Sequence, residues 1–163
     1  MAKKVAFLGV FTTLALILGW LEALLPVVPF APGVKIGLAN LVSLLVLYRF
    51  GWKEAACVNL LRIGLSSVLF GNITLLLYSL AGAILSLITM CLLKKTDKFS
   101  VVGISVAGAV MHNLGQIIVA AFLMENGVIL YYLPILAVSG VIAGVLVGLA
   151  GAFLHKHLPK EIG

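Results

Sequence analysis

Residues 133–154 read LPILAVSGVIAGVLVGLAGAFL, a stretch without one charged side chain. A helix needs about 20 apolar residues to cross the hydrocarbon core of a bilayer, so this run can do so alone. Five further apolar runs precede it, at 101–123, 73–93, 55–70, 36–50 and 5–25, separated at Pro, Gly and charge clusters. The runs at 36–50 and 55–70 are short of a full crossing, so they extend into their flanks or lie where the membrane is thin. Gly71-Asn72 reads as a turn that makes the third and fourth runs an antiparallel hairpin. The pattern predicts an all-α, polytopic membrane protein, with six transmembrane helices in a single transmembrane domain over 1–163.

Composition agrees with that reading. Of 163 residues, 63% are apolar and 10% charged, and the mean hydropathy is +1.27. That is more apolar surface than one water-soluble core hides, which excludes a soluble globular enzyme. The start, Met1-Ala2-Lys3-Lys4 before an apolar run, imitates a secretory signal peptide. The run continues past Leu25 with no convincing cleavage site, so it is expected to be an uncleaved first span. Cys57 and Cys91 fall inside apolar segments with no CxxC and no nearby His, so neither a disulfide framework nor a zinc site is expected.

In a soluble protein a formal charge of +6 would suggest nucleic acid, but here the cations cluster at the ends of apolar runs and read as topology signals. One side receives Lys3, Lys4, Arg49, Lys53, Lys94, Lys95, Lys98, Lys156 and Lys160; the other receives Lys35 alone. Arg62 lies within a run. This bias predicts both termini in the cytoplasm and outward loops at 26–35, 71–72 and 124–132. The 26–35 loop holds three of the five prolines, which keep it stiff and extended. It reads either as a lid of fixed shape or as a stiff connector.

Small residues recur at helix-contact spacing. The last run has Gly140, Gly144 and Gly148, with Gly151 beyond; the first has Gly9, Thr13, Ala15 and Gly19. Such ridges let helix backbones approach closely in a membrane, within the chain or against a partner.

Ionisable and amide side chains inside membrane spans are expensive and mark functional candidates. Here they are Glu22, Asn40, Asn59, Arg62, His112, Asn113 and Gln116. In the orientation above, all except Asn59 sit between the bilayer middle and the outer surface, with Lys35 just above them. Asn59, Arg62 and Ser66 share one helical face, and His112 and Gln116 another, so two polar stripes can face each other. An arginine stays charged and its planar fork suits carboxylate or phosphate, so the cavity is expected to prefer an anionic or zwitterionic small molecule. The alternative is a Glu22–Arg62 bridge that only fixes helix register. The five acids are scattered, so no aspartate cluster can hold magnesium against a diphosphate. No phosphate-binding loop for ATP is present, and no catalytic constellation is recommended by spacing. No metal, cofactor or catalytic residue is expected.

The segments Pro32-Gly33-Val34-Lys35-Ile36-Gly37-Leu38-Ala39-Asn40-Leu41 and Met111-His112-Asn113-Leu114-Gly115-Gln116 resemble a family of small bacterial membrane proteins. That family is called heptaprenyl diphosphate synthase component I, or Gx transporter, and the likeness runs over essentially the whole chain. The family is similar in turn to the substrate-binding S components of energy-coupling-factor (ECF) vitamin transporters. This resemblance implies a bacterial plasma membrane protein with six helices, inward termini and an outward ligand pocket. It also implies partnership with a coupling protein and ATPase subunits, docked through the ridge of Gly9, Thr13, Ala15 and Gly19. The ridge departs from a clean pair of alanines four apart. The synthase label implies instead an accessory subunit beside a catalytic one. A stand-alone channel would need a polar path to the cytoplasmic side, where the fourth and sixth runs offer only Ser and Thr.

Overall fold

The computed structural model describes residues 2–24, 36–70, 73–125 and 127–157. The 26–35 loop with its Lys35, the 71–72 turn and Lys160 lie outside these, so the expectations placed on them do too. Six helices follow one another: α1 (Ala2–Leu24), α2 (Leu38–Arg49), α3 (Trp52–Phe70), α4 (Ile73–Lys95), α5 (Val101–Leu123) and α6 (Leu133–His157). A short 3-10 helix, Gly127–Tyr132, leads into α6. Among the described residues there is no strand.

The helix ends follow local chemistry. Ser100 accepts a hydrogen bond from the Gly103 N–H at 3.1 Å and caps α5. α2 stops at Phe50, after which Gly51 at φ 110° donates to the Val46 carbonyl at 3.2 Å, a backbone geometry that glycine adopts without strain. Only Phe50 and Gly51 separate α2 from α3. α3 therefore begins three residues before the expected 55.

α1, α4, α5 and α6 are each long and apolar enough to cross a membrane. α2 is not: twelve residues reach about 18 Å, against roughly 30 Å of hydrocarbon. Instead of facing lipid it runs through the middle of the bundle, and Val42, Ser43, Leu44, Leu45, Val46 and Leu47 are all buried. A helix apolar on every side is one that is buried on every side. α3, with Lys53, Glu54, Asn59 and Arg62 along it, also falls outside the clear spans.

The other helices form a ring around α2 in the order α1–α3–α4–α5–α6, and α2 packs most closely on α1, α3 and α6. The α4–α5–α6 side is the tightest, because glycines replace side chains at the contacts. A Cβ on Gly144 would lie 2.6 Å from the Cα of Val106, and one on Gly148 would lie 2.7 Å from the Cα of Val102. The glycine ridge of α6 is thus filled from within the chain, by α5.

The basic ends gather at one pole of the bundle. Lys4 of α1 pairs with Glu54 of α3 at 2.5 Å. Lys94 of α4 donates to the Leu47 carbonyl of α2 at 2.7 Å and lies 4.7 Å from the Tyr48 ring centroid. Arg49 of α2 donates to the His155 carbonyl of α6 at 3.0 Å. Cations on helix C-termini complement the partial negative charge there.

Candidate functional site

Opposite the basic pole, the ring opens into a cavity of about 320 Å³ to which every helix contributes. Glu22 of α1, Asn40 of α2, Arg62 of α3, and His112, Asn113 and Gln116 of α5 all line it. Ser66 joins Arg62 on the α3 wall, as its spacing requires.

These side chains are held in different ways. The Glu22 carboxylate is buried and accepts a hydrogen bond from the Gly37 N–H. Gly37 precedes α2 at φ 81°, in the left-handed region that suits glycine, and α2 has no side-chain cap of its own. The carboxylate from α1 therefore meets the electropositive end of α2. Among the described residues no ion pair joins Glu22 and Arg62, and Lys4–Glu54 is the only ion pair found, although the Glu22 charge still acts on the guanidinium through space.

Arg62 is steadied from below. Its Nη2 donates to Oδ1 of the buried Asn59 at 3.4 Å, and the Ser43 hydroxyl donates to the same oxygen at 2.6 Å. The Nε of Arg62 is buried with no hydrogen-bond partner among the described residues. Because arginine stays protonated in proteins, the cavity wall carries a cation without a paired carboxylate.

On the facing wall, Asn113 is turned partly into structure: its amide nitrogen donates to the Leu136 carbonyl of α6 at 2.7 Å. His112 lies against α4 where Gly82 makes room, since a Cβ there would come within 2.9 Å of the ring.

The α1 ridge does not keep one face. Gly9 and Thr13 are exposed, but Ala15 is fully buried and lines the cavity, and Gly19 turns inward, where a Cβ would sit 3.8 Å from the Ala39 Cβ. Ala15 is therefore closed off within the bundle, while Gly19 is only partly open. Periodicity groups residues by angle around the axis, and positions two apart, such as Thr13 and Ala15, fall on opposite sides of a helix.

Sequence reasoning passed over Trp20, Ser67 and Ser79, which also line the cavity. Serine and tryptophan are unremarkable in apolar runs, and their only signal is helical spacing. Ser79 lies one turn before Gly82, on the face that receives His112. Among the described residues no group of three or more His, Cys, Asp or Glu is placed to hold a metal ion.

The fold and cavity define a helical bundle, with four helices long and apolar enough to cross a membrane, that encloses a chamber of small-molecule size, polar on one side. The chain belongs to the heptaprenyl diphosphate synthase component I family, whose model matches residues 11–154. No curated protein matches the chain. No solved structure does either, so the likeness to ECF S components has no structural counterpart here.

Proposed function

We propose that this chain is the membrane-embedded substrate-binding subunit of an ECF-type importer. In this reading all six helices belong to the membrane-embedded unit, and the basic pole and both termini face the cytoplasm of a bacterial cell. The cavity opens outward and receives a small polar or amphipathic molecule with anionic or zwitterionic character. Separate coupling and ATPase subunits supply the energy, and of the α1 ridge Gly9 and Thr13 are open to such a partner. The carrying observation is Arg62: a guanidinium in the cavity wall, oriented by Asn59, with no carboxylate in contact and a buried Nε left over among the described residues. A buried charge without a contacting carboxylate is costly, so the wall favours an anion that supplies the contact. Asn40, Glu22, His112, Asn113 and Gln116 complete the contacts.

The test is ligand retention. Protein purified into nanodiscs is expected to carry a small anion identifiable by mass spectrometry, with Arg62→Gln and His112→Ala each weakening its binding without unfolding the chain. Unchanged affinity in both variants overturns the pocket.

Family membership favours a second reading, an accessory membrane component of a heptaprenyl diphosphate synthase, in which Arg62 and Lys35 meet a diphosphate and the apolar walls its chain. Co-purification separates the two. Recovery of ATPase subunits with a coupling protein supports the importer, and recovery of a soluble aspartate-rich synthase supports the accessory role.

A further inference from the structure

The cavity is two-sided in a way that charge alone does not require. Its polar groups come mainly from α2, α3 and α5. Its large apolar lining residues come, apart from Ile63, from α1 and α4: Leu16, Trp20, Leu24, Leu75 and Leu76. Three of these, Trp20, Leu24 and Leu75, are about half exposed on the outside of the bundle (47%, 56% and 47%) while also lining the chamber. A side chain can do both only where the wall is one residue thick. α1 and α4 are not neighbours in the ring: α3 stands between them, so their outer ends approach through side chains and not through packed backbones.

Trp20 and Leu75 lie near the ends of two clear membrane spans, at the level where an aromatic side chain sits between headgroups and acyl chains. The thin wall therefore faces the hydrocarbon boundary and not bulk water. A ligand with its charge at Arg62 has an apolar surface on either side of it, since α1 and α4 flank α3, and beyond that surface, lipid. The chamber is close to the lower limit of small-molecule pockets, roughly 300 Å³, so it suits a head and a short tail, with any longer tail leaving sideways.

We propose that the cavity takes a single-headed amphiphile, its carboxylate or phosphate seated on Arg62 and its hydrocarbon part lying against Trp20, Leu24 and Leu75 at the lipid-facing wall. This rests on the reading of Arg62 as the anion-binding group, and it adds the side from which the apolar part is held.

The experiment uses the full chain with Trp52→Phe, which leaves Trp20 as the only tryptophan, in phosphatidylcholine nanodiscs. The probes are 6-bromohexyl phosphate and 6-bromohexanoate, with inorganic phosphate and acetate as tailless competitors. Bromine quenches a tryptophan that it touches, and the two heads report which oxyanion is preferred. The expected result is saturable quenching of Trp20 by at least one six-carbon probe, weakened at least tenfold by Arg62→Gln. The matching tailless anion should compete at least fiftyfold less well. Leu75→Gln should weaken the six-carbon probe at least fivefold and leave the tailless anion unchanged. Tailless anions that compete equally well, in an Arg62-dependent manner, overturn the amphiphile and leave the anion site standing. Binding that ignores Arg62→Gln for every probe, or quenching that never saturates, overturns both.

Discussion

Glu22, close to the end of α1, accepts a hydrogen bond from the Gly37 backbone N–H at the entrance to α2, and is thereby taken out of an ion pair with Arg62. One carboxylate does two things: it closes an otherwise uncapped helix start, and it leaves the guanidinium in the cavity wall with no carboxylate in contact among the described residues. Glu22→Gln keeps an acceptor oxygen and removes a negative charge from the neighbourhood of Arg62. It is expected to fold like the parent and to bind an anionic ligand several-fold tighter. Glu22→Ala leaves the Gly37 N–H without its acceptor and is expected to lower stability by about 1–3 kcal/mol. Thermal melts with a ligand titration in nanodiscs distinguish the two; equal stability for Gln and Ala would remove the capping role.

Asn59 hydrogen-bonds Arg62 without itself lining the cavity, so its effect on binding should be indirect. Asn59→Ala takes the shared acceptor from both the Ser43 hydroxyl and the Arg62 guanidinium. The expected stability loss is about 1–3 kcal/mol, with anion affinity lowered less than by Arg62→Gln. Arg62→Lys keeps the charge but not the planar fork, so it should restore little of the binding that Arg62→Gln removes. Full binding by the lysine variant would mean that charge alone, without orientation, makes the site.

How far the residues themselves disclosed this arrangement depends on the kind of signal. The helix positions follow from the apolar runs, and α4 and α5 begin at Ile73 and Val101 as expected, because span-length hydrophobicity is a one-dimensional property. The cavity was legible for a related reason. Polar side chains are rare inside apolar helices, so Glu22, Asn40, Arg62, His112, Asn113 and Gln116 stand out, and burial in one bundle leaves them little choice but to meet. The partners they choose are not one-dimensional. Nothing in the spacing assigns Glu22 to Gly37 in place of Arg62, or Asn113 to the Leu136 carbonyl, since those depend on how helices distant in sequence are rotated. The short α2 was visible only as a deficit in length; that it runs through the centre, buried on every side, is a property of the packed ring.

The two glycine ridges should respond oppositely to a methyl group. A Cβ on Gly144 would meet the Val106 backbone at 2.6 Å, which cannot give way as a side-chain tip can. Gly144→Ala is expected to destabilise by about 1–3 kcal/mol through separation of α5 and α6. Gly9, on the exposed side of α1, has nothing within 4 Å of the added atom. Gly9→Ala is expected to be neutral or to stabilise by up to about 1 kcal/mol, because alanine loses less backbone freedom in a helix. Melting of both variants side by side checks this, and a Gly144→Ala melt equal to the parent's would contradict the close α5–α6 contact.

The basic pole offers a pH dependence whose sign is fixed by the Lys4–Glu54 pair. The hydrogen bond from Lys4, 2.5 Å from the carboxylate oxygen, holds the Glu54 carboxyl below its usual range. A carboxyl that binds its proton less readily when folded contributes stability above its unfolded pKa, about 4.3, and loses it as the pH falls through the lower folded value. With the Lys4 side chain 51% exposed, solvent screening limits the contribution to about 1 kcal/mol or less. The parent is therefore expected to melt slightly higher than Glu54→Gln at neutral pH, by a margin constant down to about pH 5 and closing below about pH 4. Raising the salt to roughly 1 M should shrink the same margin at pH 7, since an exposed pair is screened over about 3 Å at that ionic strength. A margin that survives both acid and salt would mean that the Glu54 charge does not set it, and would remove the role given to the Lys4–Glu54 pair.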